Sequence, residues 1–255
     1  MTAEKLPDVD VATQTSVPVK ESFLRPGHLV DHPNPSMPLL DAVVTRRTVR
    51  SYADRPVDHE TFKWLVAQAM NAPTACNEQQ WKIILVEDPA VLADLSQRGS
   101  ASFLGKARQC FIACYNRRTD NLEWQDHIQS GAAFITTFQL LAHSIGVGSC
   151  WIGHLPNKSE LRRIFGIHPA YDPVALVTFG YYRDKVKVLP RKRDVEDVVM
   201  LGHFRAEGLT LKPPRRTLFR TAARWAYYRI PPLLRRRLKP YTGRFEKKFY
   251  YEVYD

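Results

Sequence analysis

The stretch DHIQSGAAFITTFQLLAHSIG, residues 126–146, constrains this chain most. It carries the longest helical pattern in the sequence. Gly131, Ala132 and Ala133 strip away side-chain bulk within one turn, which predicts close packing against another backbone. Gly146 and Gly148 supply the stop. Upstream, an apolar helical pattern covers residues 39–44. Asp58 then opens a second helix, with Thr61 in a capping pattern and an apolar face of Phe62, Leu65, Val66, Ala69 and Met70. Asn71 and Pro73 end it. WKIILVED, KARQCFIACYN and PVALVTFGYY read as strands, AVLADLSQ as a helix, CWIGHL as a short strand or turn, and Ser159 as the opening of the helix ELRRIFG. No segment repeats. Helices alternating with few, short strands predict an α+β fold with a mixed β-sheet flanked by helices.

At 255 residues, with 44% hydrophobic and 25% charged residues, the composition is that of an ordinary globular chain. No run approaches the roughly 18 apolar residues of a membrane-spanning helix. The first residues lack the basic and apolar regions of a signal peptide. Cys76, Cys110, Cys114 and Cys150 form no CxxC and read as reduced, mostly buried thiols. These features point to the cytoplasm. The net charge of +11 suggests nucleic acid until it is mapped. Residues 201–255 hold 14 Lys+Arg against 4 Asp+Glu, a balance of +10, so residues 1–200 carry only +1.

The chain therefore divides into a Pro- and Ser/Thr-rich arm (1–37), a balanced domain (38–200) and a basic, aromatic extension (201–255). In the extension, Arg216, Arg220 and Arg224 recur at i, i+4 and i+8, and Phe219, Ala222, Ala223, Ala226 and Ile230 occupy much of the remaining surface. Pro231 and Pro232 break this helix before LLRRRLK. Three readings fit: an anionic membrane surface at the inner face, a nucleic-acid contact, or an arm wrapped around a dimer partner. Nucleic acid is the least favoured.

Four polar clusters could carry chemistry. RRTVRSY (46–52) alternates Arg46, Thr48 and Arg50, which an extended backbone converges on one side, and arginine forks with a hydroxyl seat a phosphate well. APTACNEQQW offers Thr74, Asn77 and Gln79 beside a tryptophan, with amides that match the edge of a heterocycle. GVGSCWIG is a glycine-flanked loop able to approach a flat ligand. LPRKRDVEDVV places Arg191 and Arg193 after the last strand. Singly, each also reads as a cap, a turn or solvated charge. No hydrolase, Walker or dinucleotide signature is present, and the dispersed histidines predict no metal site.

Order and spacing give these clusters a common meaning. RRTVRSY resembles the RRSxRxF/Y of the FMN-dependent nitroreductase superfamily, and APTACNEQQW resembles its AP(S/T)xxNxQPW. GAAFITTFQLLAHSIGVGSCWIG is similar to its GAAxQNLLLAAxxLGLGxxWIG, and LRRIFGIHPAYDPVALVTFGYY to its LRxLLGIPxxxxPVALIxLGxP. The four segments stand in family order and cover roughly residues 38 to 195.

The resemblance implies an intertwined homodimer with FMN in sites built from both subunits. It also implies ping-pong transfer of hydride or electrons from NAD(P)H to a small organic acceptor such as a nitroaromatic or quinone. By position, Arg46, Arg47 and Thr48 would hold the FMN phosphate together with Arg191 and Arg193. Arg50 would face the flavin edge that becomes negative on reduction. Pro73, Thr74, Ala75, Asn77 and Gln79 would contact the ring, and the backbone through Cys150, Trp151, Ile152 and Gly153 would line its reactive side. No side-chain nucleophile is implied. The chain departs from the family at Gln80, where proline is usual, at Ile135 and Thr136 in place of a QN pair, and at Cys76 and Glu78. Two other activities share the scaffold: a biosynthetic dehydrogenase or oxidase, and a non-catalytic membrane-associated flavin-binding module.

Overall fold

The structure, a computed structural model, describes residues 37–118, 121, 123–153, 155–183, 193–204, 214–231, 233–238 and 240–241. The expected N-terminal arm lies, apart from its last residue, outside the described residues, as does Arg191.

Four strands, β1 (Trp81–Val86), β2 (Gln109–Asn116), β3 (Val147–Ile152) and β4 (Tyr171–Tyr181), form one sheet in the order β1-β2-β4-β3. All three strand pairs are antiparallel. Among the described residues, parallel pairing enters only through the bridge between Thr48 and Ser149 at the β3 edge. Central strands β2 and β4 are buried on both faces, which explains their nearly unbroken apolar sequence. Alternation sorts their side chains cleanly. Phe111, Ala113, Tyr115, Val177 and Phe179 face one core, and Cys110, Ile112, Cys114 and Leu176 face the other.

The first core lies under α2 (His59–Ala69) and α4 (Asp126–Ser144). Phe62 of α2 stacks on Phe179 at 5.2 Å, and Phe138 of α4 meets Phe111 edge-on at 4.6 Å. Gly131 lets α4 press onto the sheet, for a Cβ there would lie 2.7 Å from Val174 Cγ2. The close approach expected at this glycine is thus made to a β4 side chain. The second core lies under α3 (Pro89–Gln97) and α5 (Lys158–Phe165). The short α1 (Leu39–Thr45), the C-terminal α6 (Pro214–Arg229) and two 3-10 turns at Ala75–Asn77 and Ser102–Lys106 complete the elements named among the described residues.

Local chemistry sets the helix ends. The Asp58 carboxylate accepts from Thr61 N at 2.8 Å, as its sequence pattern predicts. The α5 cap is Asn157 and not Ser159. Asn157 Oδ1 accepts from Glu160 N at 2.9 Å, and the Ser159 hydroxyl donates to the same oxygen. Gly146, with φ of 80°, ends α4 without Gly148. A second correction concerns GVGSCWIG. Its backbone is taken up by β4, from Val147 opposite Tyr181 to Ile152 opposite Leu176, so it is a strand and not a glycine loop.

Candidate functional site

Beyond α1 the chain runs extended along the sheet edge. Val49 N donates to Ser149 O at 3.0 Å, and Ala53 N to Tyr181 O at 3.0 Å. Val49 points inward and is buried against Gly148, where a Cβ would lie 2.7 Å from Val49 Cγ2. Its neighbours Thr48 and Arg50 are half-buried, as are Arg46 and Arg47. Arg47 Nη1 donates to Val44 O and Arg46 O, at 2.7 and 2.8 Å, which aims the guanidinium back across the end of α1. Arg50 sits over the Phe103 ring at 5.8 Å and beside the Cys150 thiol. Burial pushes that thiol up to about 11 against the pull of Arg50 and Arg46, so it stays protonated.

Two donors in this cluster are buried and make no hydrogen bond: Arg47 Nε and Arg50 Nη1. A buried guanidinium atom without an acceptor is costly, and an anion-bearing ligand removes that cost. Beside them, Thr45 Oγ1 lies 2.8 Å from His143 Nε2, and His143 Nδ1 lies 2.5 Å from the Tyr182 hydroxyl. This chain ties the end of α1 to the last turn of α4. Burial, then Arg46 and Arg47, hold His143 below its ordinary value, so it is neutral beside the two arginines.

The second cluster is built differently. Cys76, Asn77 and Gln79 all adopt left-handed backbone, with φ of 51°, 55° and 53°. Such conformations cost of order 1 kcal/mol or more each in non-glycine residues, and they gather at ligand-holding segments. The loop is braced by Gln79 Nε2 donating to Asn77 Oδ1 (2.7 Å), Gln79 N to Thr74 Oγ1 (3.3 Å) and Ala75 N to Ser130 Oγ (3.1 Å). Pro73, Asn77 and Gln79 are exposed, while Thr74 and Ala75 are half-buried.

Helix α4 separates the two clusters. The loop is tied to its start at Ser130, and the arginine segment is tied to its end at His143. Thirteen residues at 1.5 Å each place these anchors about 20 Å apart along the axis. The structure therefore brings Arg46, Arg47, Thr48 and Arg50 together with Cys150, and sets Pro73, Thr74, Ala75, Asn77 and Gln79 at the far end of the helix. Of the third group, Cys150 and Ile152 are buried, while Trp151 and Gly153 are exposed at the β3 edge. Arg193 is exposed, with Nη1 4.0 Å from Asp197 Oδ2 in its own segment.

Sequence reasoning missed His143, Tyr182 and Phe103, which frame the arginine cluster. It also missed Gln139, whose Nε2 donates to Ser149 Oγ at 3.2 Å inside the core. His143 and Gln139 lie four residues apart on α4, one turn, and that spacing was the available signal.

The sequence pattern of the Nitroreductase family matches residues 43–117 and 93–181, together more than half of the chain. The chain belongs to this family. It is 29% identical over 150 residues to an Archaeoglobus fulgidus protein named as a candidate NADH dehydrogenase/NAD(P)H nitroreductase, covering 57% of this chain and 86% of that one. It is 24% identical over 172 residues to a Bacillus subtilis FMN reductase [NAD(P)H], covering 60% and 69%. Among solved structures, an FMN-dependent nitroreductase of Clostridium difficile superposes with a TM-score of 0.57 at 24% identity, over 65% of this chain and 99% of that chain. This last likeness shows the shared fold.

Proposed function

We propose that this nitroreductase-family chain is an FMN-dependent oxidoreductase. In this reading it works as a homodimer, taking hydride from NAD(P)H and delivering it to a small organic acceptor such as a nitroaromatic or quinone. The observation that carries the reading is the pair of buried, unpartnered guanidinium atoms, Arg47 Nε and Arg50 Nη1, on a segment pinned to β3. These residues fit the cofactor. Arg46, Arg47 and Thr48 would hold the phosphate. Arg50, fixed over Phe103, supplies positive charge where the reduced ring is negative. Arg193 and Arg191 join the phosphate seat in the resemblance alone. FMN, when bound, supplies the two-electron carrier between nicotinamide and acceptor. The protein's part is to bind, orient and stabilise charge, and the protonated Cys150 thiol takes no nucleophilic role.

The separation along α4 supports a site made from two copies. The Ser130 anchor of the strained 73–79 loop lies about 20 Å along the helix axis from the His143 anchor at the end of α1, and a partner can bring its loop to the arginines. The exposed apolar side chains of Leu39, Leu40, Val43 and Val44 on α1 offer such a partner a face.

Purified protein is expected to be yellow and to bleach on anaerobic addition of NADH or NADPH. Arg47→Gln and Arg50→Gln should each weaken FMN binding by about 1.5–3 kcal/mol, the scale of a hydrogen bond to a charged group. A colourless protein that takes up no FMN defeats the proposal. Co-expressing an Arg47→Gln/Arg50→Gln chain with a Thr74→Ala/Asn77→Ala chain tests the composite site. Mixed dimers should recover one intact site, and failure to bind more FMN than either parent removes the two-copy arrangement.

A further inference from the structure

Outside the site, the most unusual feature is the C-terminal extension. Arg235 is fully buried although it lies in a run of three arginines. Its Nη2 reaches both Glu160 oxygens at 2.6 Å, its Nη1 donates to Arg98 O at 2.6 Å and its Nε to Ile230 O at 2.9 Å. Arg236 Nη2 adds a contact to Asp94 at 2.8 Å. The extension is therefore latched to α3 and α5 of its own chain. It is not spent on wrapping a partner at this point.

Yet the latched segment leaves large apolar side chains in water. Leu218, Phe219, Trp225, Leu233 and Leu234 are 50–75% exposed. On α6 they are not scattered. Leu218, Ala222 and Trp225 recur at i, i+4 and i+7, with Phe219 and Ala226 in the adjoining row. Arginines border this stripe. Arg229 stacks on Trp225 with its guanidinium carbon 3.6 Å from the ring centroid, and Arg215, Arg236 and Arg237 are exposed. The stretch 201–255 carries +10 of the chain's +11. No helix among the described residues is long and apolar enough to cross a membrane.

We propose that α6 and the 233–238 segment form a docking surface for an anionic phospholipid bilayer, lying on the membrane without crossing it. Three occupants were open, and the chemistry selects one. A second copy of the same surface would set one arginine-rich strip, with no acidic residue between Pro214 and Leu238, against another, which repels. A nucleic acid answers the charge but offers its sugar–phosphate backbone to exposed leucines that gain nothing there. An anionic bilayer answers both features, with acyl chains for the leucine, phenylalanine and tryptophan side chains and headgroup phosphates for the arginines. The Arg235 latch would then fix how the FMN site stands relative to the membrane. The surface itself does not depend on the FMN reading.

The test is co-sedimentation of the full chain with vesicles of phosphatidylcholine alone and with equimolar phosphatidylcholine and phosphatidylglycerol. Binding is expected to the anionic vesicles only and to weaken as salt is raised. Leu218→Glu/Phe219→Glu should abolish it. Arg215→Gln and Arg229→Gln should each reduce it about fivefold, the effect of one basic residue near an anionic surface. Far-UV circular dichroism and retained absorbance confirm folding, and all four side chains are exposed. Equal binding to both vesicle types, or to neither, overturns the proposal. So does a Leu218→Glu/Phe219→Glu protein that keeps vesicle binding, whose polyanion contact would then need no apolar face. If that variant instead changes the oligomeric state while vesicle binding stays unchanged, the face is a self-contact and the proposal fails.

Discussion

Replacing Arg235 by methionine keeps most of the side chain's volume and deletes its charge, so it isolates what the latch contributes. Glu160 would be left buried without its main partner. Removing one member of a buried ion pair costs about 3–5 kcal/mol, because the remaining charge is uncompensated. Two features of this site pull the value toward the low end. Arg98 Nη1 stays 3.7 Å from Glu160 Oε1, and Asn157 Nδ2 donates to Oε2 at 3.1 Å. A second limit is topological. Arg235 belongs to a terminal segment, so the chain can escape the penalty by undocking that segment and letting water reach Glu160. The loss in global stability therefore cannot exceed the free energy of docking the segment.

The expected result is a loss of about 3 kcal/mol in urea unfolding, or a Tm lower by roughly 6–12 °C for a domain of this size. If undocking intervenes, the global loss is smaller and trypsin cuts faster around residues 229–237. Adding Glu160→Leu should recover stability, since an apolar pair can replace a buried ion pair at little cost. An Arg235→Met protein within about 0.5 kcal/mol of the parent, the usual range for an exposed substitution, would refute the reasoning if its proteolysis pattern is also unchanged.

Other parts of the structure give expectations of their own. Gly131→Ala should destabilise by about 1 kcal/mol net, because crowding Val174 costs about 1–3 and helix propensity returns at most about 1; Val174→Ala in the same chain should reverse the loss in a urea titration. Gly148→Ala should push Val49 and the arginine segment off β3, which fluorescence titration would read as weakened FMN binding. Asp172 is surrounded by Lys158 (2.5 Å), Arg162 and His127 (3.5 Å). Burial works to raise its carboxyl, but Lys158 and the other cations overcome this and hold it below 3.8. The folded state thus refuses a proton that the unfolded chain accepts. The Asp172 contribution is present above pH 3.8 and lost as pH falls through the lower folded value, which urea midpoints between pH 5 and 2 would show. His143 is also depressed, from 6.5, so its neutral state favours folding least as pH drops below that value; FMN phosphate beside Arg46 and Arg47 should raise it again, visible by NMR titration.

Much of the fold was legible because its signals are local. Asp58 with Thr61, the apolar runs of β2 and β4, and the α4 pattern each lie within a few residues of the structure they specify. The end of β3 was read as a short strand or turn and its start as a glycine-flanked loop, because Gly146 and Gly148 are turn residues by local rule. Gly148 is there for a tertiary reason, to admit Val49. The arginine cluster was legible as an alternating segment. What the sequence hid was the burial of Arg47 Nε and Arg50 Nη1 and the placing of the 73–79 loop at the other end of α4, which depends on two hydrogen bonds far apart in the chain. The latch was invisible for a plainer reason. Nothing in LLRRRLK distinguishes Arg235 from its neighbours, and Glu160 in ELRRIF looks like a solvated charge. Only their meeting, 75 residues apart, separates them.

The departures from the family pattern acquire a physical account once the strands are in place. Gln80 stands where proline is usual, just before β1. Its backbone oxygen accepts from Asn116 N at 3.4 Å, and its side-chain oxygen accepts from Asn116 Nδ2. A proline could make the first contact but has no side-chain acceptor for the second. Gln80 thus extends the β1–β2 pairing by one polar rung next to the strained loop of Cys76, Asn77 and Gln79. Ile135 replaces an amide and is completely buried in the core beneath α4. A core contact has taken over from a polar one at that turn. Neither change adds a group that could do chemistry. Gln80 bears on how β1 begins beside the loop and Ile135 on the core under α4, and neither touches the family-like RRTVRSY segment.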